Sequence, residues 1–218
     1  MNVYTEEEVI RLFLAVENEP PNWRMFLMLA LAAGLRRGEL LALEWKHVDF
    51  DAGTIRIEQS LSRGEHGRPI LKAPKSEHSV RVVSLPPSVI EELKAYRRHW
   101  LKEKMAAFDM WEEREREFLF HSGNGKPYYP THPDAWWRRF TKRAGVRYVR
   151  LHDLRHTAAT LLIAQGVHAR IIAERLGHAD IRTTMTVYGH VLREADQSAA
   201  AKIDHLFRPN QNGDTRRA

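Results

Sequence analysis

Apolar positions recur with a helical period through the first fifty residues, then with a period of two, and finally with a helical period again. Thr5 followed by Glu6, Glu7 and Glu8 predicts a helix start, a hydroxyl cap ahead of an acidic first turn, with Val9, Ile10, Leu12 and Phe13 on the apolar side. The run from Trp23 to Ala33 is apolar nearly all round, which predicts a helix central to the core, ended by Gly34. A shorter helix follows through "RGELLALEW", burying Leu40, Leu41 and Leu43, with Glu39 close behind the turn. From Asp51 the runs "GTIRIEQS", "GRPILKAP" and "VRVVSL" carry β-branched residues between turn signals and predict one small antiparallel sheet. Pro86 and Pro87 open a long helical region, "PSVIEELKAYRRHWLKEKMAAF", whose continuation "DMWEEREREF" reads as a solvated face laced with opposite charges. "HSGNGKPYYPTHP" is a loop by composition, and helical patterns resume at Asp134 and run to Phe207 with breaks at Gly145, Gly166 and Gly177. The tail "RPNQNGDTRRA" reads as unstructured.

This order is mainly α with a small antiparallel sheet, an α+β class, and no strand–helix–strand repeat supports a doubly wound sheet. A chain of 218 residues fits one large domain, expected over 1–208, followed by a flexible tail over 209–218. The "GNGK" stretch lacks the spacing and flanking elements of a nucleotide loop.

Composition narrows the chemistry. Hydrophobic residues at 43% and charged residues at 28% describe an ordinary globular chain. Its most apolar run, Met25 to Ala33, is far short of the roughly twenty residues that a membrane helix needs. The acidic start has no secretory leader, so a cytoplasmic protein with no membrane partner is expected. The absence of cysteine removes thiol nucleophiles and Cys-based metal sites, leaving Ser, Thr, Tyr, Lys or a carboxylate for covalent chemistry. Net charge is +6, unevenly spread. Arg138, Arg139, Lys142, Arg143, Arg147, Arg150 and Arg155 stand against the single acid Asp153, with Trp136, Trp137 and Tyr148 interleaved. That pattern fits a DNA phosphate-backbone surface or, more simply, a solvated basic helix face.

Several residues are candidates for a reaction. His152 and Arg155, three apart in "LHDLRHTAATLL", share a helical face, although a capping histidine beside an exposed arginine has the same spacing. Arg36 lies in a turn between two apolar helices and needs an anion there: Glu39 is the internal candidate, a phosphate the external one. Lys75 sits between predicted strands, with Lys72 near enough to compete for any role. Together with His178 and Tyr188 in "LGHADIRTTMTVYGH", these residues form no carboxylate-rich metal set. They do suit metal-free phosphoryl transfer. Fixed cations stabilise the non-bridging oxygens, and in so positive a site a tyrosine, whose unperturbed pKa is about 10, becomes a usable nucleophile. The connector threonines read as caps and turns, and nothing accounts for His190.

At this point the motifs resemble those of the tyrosine recombinase, or phage-type integrase, catalytic domain. "GLRRGEL" is similar to the family's first arginine motif and points to Arg36; "PKSEHSVRVVSL" is similar to its hairpin and points to Lys75 over Lys72; "HDLRH" gives His152 and Arg155; "LGHADIRTTMTVY" gives His178 and Tyr188. The resemblance runs in order from Gly34 to Tyr188. It implies that Tyr188 attacks a DNA phosphate to form a 3′-phosphotyrosine link, that Arg36, Arg155 and His178 hold the phosphoryl oxygens, that Lys75 protonates the departing 5′ oxygen and that His152 assists. Glu39 and Asp153 would support these groups. Double-stranded DNA is the implied partner, with a homotetramer on the DNA synapse and a monomer without DNA; neither metal nor cofactor is implied. Ser76, Val80 and Ser84 depart from the hairpin pattern without touching a proposed catalytic group. The start "VYTEEEVIRLF" resembles the beginning of the catalytic domain itself, so the family's N-terminal DNA-binding domain is expected to be missing from this chain. In "AAAKIDHLFRPN", Ile203, Leu206 and Phe207 suit docking on a neighbouring subunit or on the same domain. The other readings are a relaxing topoisomerase of the same active-site plan and a DNA-binding module without a reaction.

Overall fold

The computed structural model describes residues 2–73, 79–178, 180–182 and 184–185. Lys75, Tyr188, His190 and the expected C-terminal helix and tail lie outside the described residues. Helix α1 (Glu6–Val16) starts on the predicted cap: the Thr5 hydroxyl accepts the Glu8 N–H at 3.3 Å, and the Glu8 carboxylate accepts that of Thr5 at 2.9 Å. Helix α2 (Pro21–Ala32) begins two residues before Trp23, with proline in its first position, where no amide hydrogen is needed. It buries Trp23, Met25, Phe26, Leu27, Leu29 and Ala30, and packs between α4 (Pro87–Ala107) and α6 (Leu154–Ala164). The short α3 (Arg37–Leu41) follows, then a 3-10 turn at Trp45–His47.

The strands depart from the expected single sheet. β1 (Val48–Asp49), β2 (Thr54–Ile57) and β5 (Arg81–Ser84) form a three-stranded antiparallel sheet with Ile55 opposite Val83. β3 (Ser60–Arg63) pairs instead with β4 (Pro69–Lys72) in a separate hairpin, Leu61 opposite Leu71. Gln59 separates the two. Its side-chain amide donates to the Ala42 carbonyl at 2.6 Å and to Glu44 at 2.7 Å, tying the chain to the end of α3.

The long helix also stops earlier than its charge pattern suggests. α4 ends at Ala107, Phe108 takes a positive φ of 36°, and "DMWEEREREF" continues as a 3-10 turn and irregular chain. Trp111 turns inward against Trp100, ring centroids 5.3 Å apart, and the Glu112 N–H donates to the Asn124 carbonyl at 2.9 Å. The charges there pair across the fold, Arg116 with Glu44 and Lys104 with Glu117, rather than along a helix.

Helix α5 (His132–Arg143) carries the basic stretch, and its tryptophans belong to the core. Trp136 stacks on Trp23 at 4.3 Å, and the fully buried Trp137 donates its indole N–H to the Val149 carbonyl at 2.7 Å. They are therefore not available to interleave with the exposed cations on a phosphate surface. Helix α7 (Ala169–Leu176) is terminated by Gly177 in the left-handed conformation. Among the described residues, no helix is long and apolar enough to cross a membrane.

Candidate active site

Two glycine turns bring distant segments together. Gly34, after α2, has φ +62°, and a β-carbon there would sit 2.3 Å from Leu176 Cδ2; Gly177, after α7, has φ +67°. Because the first turn packs so closely against α7, the carbonyls of Gly34, Leu176 and Gly177 lie within reach of the same cations. Arg155 donates to Gly34 O at 2.8 Å and to Leu176 O at 2.5 Å, while Arg36 Nη2 donates to Gly177 O at 3.1 Å.

Glu39 organises the arginines from below. Its Oε1 accepts from Arg36 Nη1 at 2.7 Å, and its Oε2 from the Arg36 backbone N–H at 2.9 Å. Arg81, on β5, closes a fork on the same carboxylate at 3.2 and 2.9 Å. Burial pushes the Glu39 pKa up, but the Arg81 fork and the Arg36 contacts outweigh it and hold it below the ordinary value. Both internal and external anions thus remain open to Arg36: Glu39 is its partner, yet its side chain is still 38% exposed.

Arg155 is 3% exposed, and its partners are backbone carbonyls rather than a carboxylate. Burial and then repulsion from Arg36 lower its pKa to about 9, which leaves it cationic at neutral pH. Arg175 is similar, donating to Ala32 O at 2.5 Å and Ser84 O at 2.9 Å. Arg36 and Arg81 thus share the carboxylate of Glu39, while Arg155 and Arg175 are held by backbone carbonyls. A buried cation such as Arg155, with no carboxylate partner among the described residues, creates a demand for an anion.

The histidines are neutral donors. His178 follows the Gly177 turn, and burial, then Arg155 and Arg36, lower its pKa to about 4. Its Nδ1 lies 2.8 Å from the hydroxyl of Thr184, which is fully buried. Thr184 is therefore more than the cap or turn residue its context suggests, because it fixes the imidazole. His152 lies in a 3-10 turn (Leu151–Asp153), one step before α6 rather than on it. It stands beside Arg155, with its ring 6.0 Å from that of His156, and desolvation followed by these neighbours lowers its pKa. Asp153 binds Arg150 at 2.8 and 3.0 Å, and its backbone carbonyl accepts from the Thr157 hydroxyl; it supports the turn and makes no direct contact with Arg155 or Arg36.

A cleft of about 510 Å³ opens beside Arg36 and Glu39, lined also by Gln59, Ser60, Lys72 and Ser79. Lys72 and Ser79 flank residues 74–78, which include Lys75 and lie outside the described residues. Among the described residues, no three His, Asp or Glu side chains gather as a metal-binding set.

Of the DNA-binding candidates, all six are exposed, but they divide into two sets. Arg143 pairs with Glu19, Arg147 with Glu8, and Arg150 with Asp153. Arg138 lies over the Tyr148 ring, and Arg138, Arg139 and Lys142 have no carboxylate partner among the described residues. The sequence reading overlooked Arg81, Arg175 and Thr184. Only Arg81 left a visible signal: in "VRVV" it falls in phase with buried Val83, while Val82 points to solvent.

Known proteins share this arrangement of elements. The structure superposes on the Tn1549 transposon integrase in complex with transposon right-end DNA with a TM-score of 0.78 at 21% identity, covering 95% of this chain and 66% of that one. For the XerA recombinase the values are 0.70 and 24%, covering 96% and 66%. Among curated relatives, a tyrosine recombinase XerC-like protein of Caldanaerobacter subterraneus subsp. tengcongensis is 29% identical over 216 residues, and the ICEBs1 integrase of Bacillus subtilis (strain 168) is 29% identical over 219. Each match covers 95% of this chain and 55% of the relative, so the chain spans little more than half the length of these proteins. The sequence profile of the phage integrase family matches residues 2–195, a span that contains both glycine turns and every arginine of the site; the chain belongs to the phage integrase family.

Proposed function

We propose that this chain is the catalytic part of a site-specific DNA recombinase that cleaves and rejoins double-stranded DNA through a 3′-phosphotyrosine intermediate. The observation that carries the reading is the gathering of guanidinium groups at the two glycine turns: Arg36 and Arg81 on the Glu39 carboxylate, and the buried Arg155 on the Gly34 and Leu176 carbonyls with no carboxylate partner among the described residues. Such a site is matched to a phosphodiester, whose non-bridging oxygens gain charge as it is attacked. The DNA complexes solved for the Tn1549 integrase support the same partner.

In this reading Tyr188 Oη attacks the phosphorus, the bond to the 5′ oxygen breaks, and Lys75 gives that oxygen its proton. Arg36, Arg155 and the neutral His178 hold the non-bridging oxygens, and His152 assists by taking the proton that Tyr188 loses on attack. The new ester replaces the old one, so the reverse attack by a 5′-hydroxyl rejoins the strand without a nucleotide cofactor. A metal ion has no assigned task, since guanidinium and imidazole meet the developing charge. The working assembly is a homotetramer on a DNA synapse, formed from monomers.

The test is a nicked suicide duplex whose cleaved strand diffuses away, trapping the covalent adduct for gel analysis. Tyr188→Phe is expected to abolish the adduct while DNA binding persists. An adduct of unchanged yield in Tyr188→Phe would remove Tyr188 as nucleophile, and supercoil relaxation by a monomer without synapsis would favour a topoisomerase.

A further inference from the structure

We propose that Arg81 is a positioning residue for this reaction: by sharing both oxygens of Glu39 with Arg36 it leaves the Arg36 charge only partly neutralised, and it ties strand β5 to the turn that carries His178. The inference rests on the phosphate-binding reading of the site.

The side chains of Arg81 and Glu39 are 7% and 5% exposed, and the fork between them is a two-point contact. Arg36 meets the same carboxylate through Nη1 at 2.7 Å and through its backbone N–H at 2.9 Å, on a side chain 38% exposed. With Arg81 in place, the charge of Glu39 is divided between two guanidinium groups, and Arg36, whose Nη2 also donates to the Gly177 carbonyl at 3.1 Å, keeps part of its charge for an anion in the cleft. Without Arg81, the buried carboxylate would have Arg36 as its remaining ion-pair partner among the described residues and would neutralise it more fully. The third arm of Arg81 reaches further, its Nε donating to the Arg175 carbonyl at 2.7 Å in the last turn of α7. Gly177 lies directly against it: a β-carbon there would stand 3.0 to 3.2 Å from the guanidinium and Cδ of Arg81, so a glycine at that turn also makes room for this arginine. Arg81 thus touches what holds Arg36 on one side and what leads into His178 on the other.

The test compares wild type, Arg81→Met and the double variant Glu39→Gln/Arg81→Met, all as the full chain. Two readouts are used: the rate of adduct formation on the suicide duplex, and the shift of the His178 ring signals on titration with inorganic phosphate. Arg81→Met is expected to slow cleavage about a hundredfold, the scale of losing one preorganised charge donor, and to weaken phosphate binding. The double variant, with a neutral residue beneath Arg36, is expected to recover a large part of both. A double variant as impaired as the single one would reduce Arg81 to a structural ion pair and overturn the inference, as would full activity in Arg81→Met. Should Arg81→Met not fold, Arg81→Lys decides: it keeps the charge but not the fork, so wild-type values in both readouts would overturn the inference. A wild-type chain that forms no adduct refutes the recombinase reading, while the phosphate titration still tests Arg81.

Discussion

His178 shows how one side chain is set by its surroundings. Buried beside Arg155 and Arg36, it cannot readily become a cation, so it is useful to a phosphate only as a neutral N–H donor. The Thr184 hydroxyl decides which nitrogen donates. Among the described residues its partner is His178 Nδ1, and a buried hydroxyl must give its hydrogen to an acceptor, which leaves the ring hydrogen on Nε2. Nitrogen-15 NMR of the free protein should therefore show Nε2–H at His178 and a titration midpoint of about 4. Thr184→Val should disturb that tautomer and slow cleavage about tenfold, the scale of losing an outer hydrogen bond that orients a functional histidine, and Thr184→Ser should restore both. A protonated Nδ1 in the wild type would refute the assignment. The sign for stability follows from linkage. Between the folded value and the ordinary histidine value of 6.5, the unfolded chain binds the proton more readily, so this residue's contribution is intact above that window and is lost as pH falls through it.

At the scale of elements, the informative piece is the polypeptide between β4 and β5. Lys72 ends β4 and lines the cleft beside Arg36, while Lys75 lies outside the described residues and is assigned by its place in the motif. The two are separable by leaving-group chemistry. Lys75→Ala should depress cleavage of an ordinary 5′-oxygen substrate far more than of a 5′-thio substrate, which needs little protonation on departure, whereas Lys72→Ala should treat both alike. A thio rescue specific to Lys72→Ala would exchange their roles. The same region marks the boundary of what sequence conveys. The Thr5 cap, the apolar α2 and the turn glycines are local signals and could be read directly, as could Arg36, His152, Arg155 and His178 from their motifs. Which run pairs with which could not, because the separation of the β3–β4 hairpin depends on Gln59 reaching Ala42 and Glu44, seventeen and fifteen residues away. The end of α4 was hidden for a similar reason: alternating charges in "DMWEEREREF" suit a helix, but Trp111 gains more by packing on Trp100.

For the molecule as a whole, the issue is how a net charge of only +6 could hold a polyanion. Much of the formal basic charge is spent internally. Arg147, for instance, binds Glu8, Asn2 and the Val3 carbonyl and covers the ring of buried Tyr4, so it fastens the chain's first residues to the segment after α5. Arg143 and Arg150 are likewise neutralised by Glu19 and Asp153. Arg138, Arg139 and Lys142 form the remaining exposed positive surface of α5. If that surface contacts DNA phosphates, each contact releases counterions, and the slope of log affinity against log salt should flatten by roughly 0.9 for each contact removed. Replacing Arg138, Arg139 and Lys142 by glutamine should therefore flatten the slope by about two to three, with little change in thermal stability, measured by fluorescence anisotropy on duplex DNA and by thermal melting. Arg147→Gln should do the reverse, lowering the melting temperature while leaving the salt slope almost unchanged. If Arg147 carried the slope and the α5 triad did not, DNA would lie against the N-terminal junction, and the assignment of α5 as the backbone surface would fall.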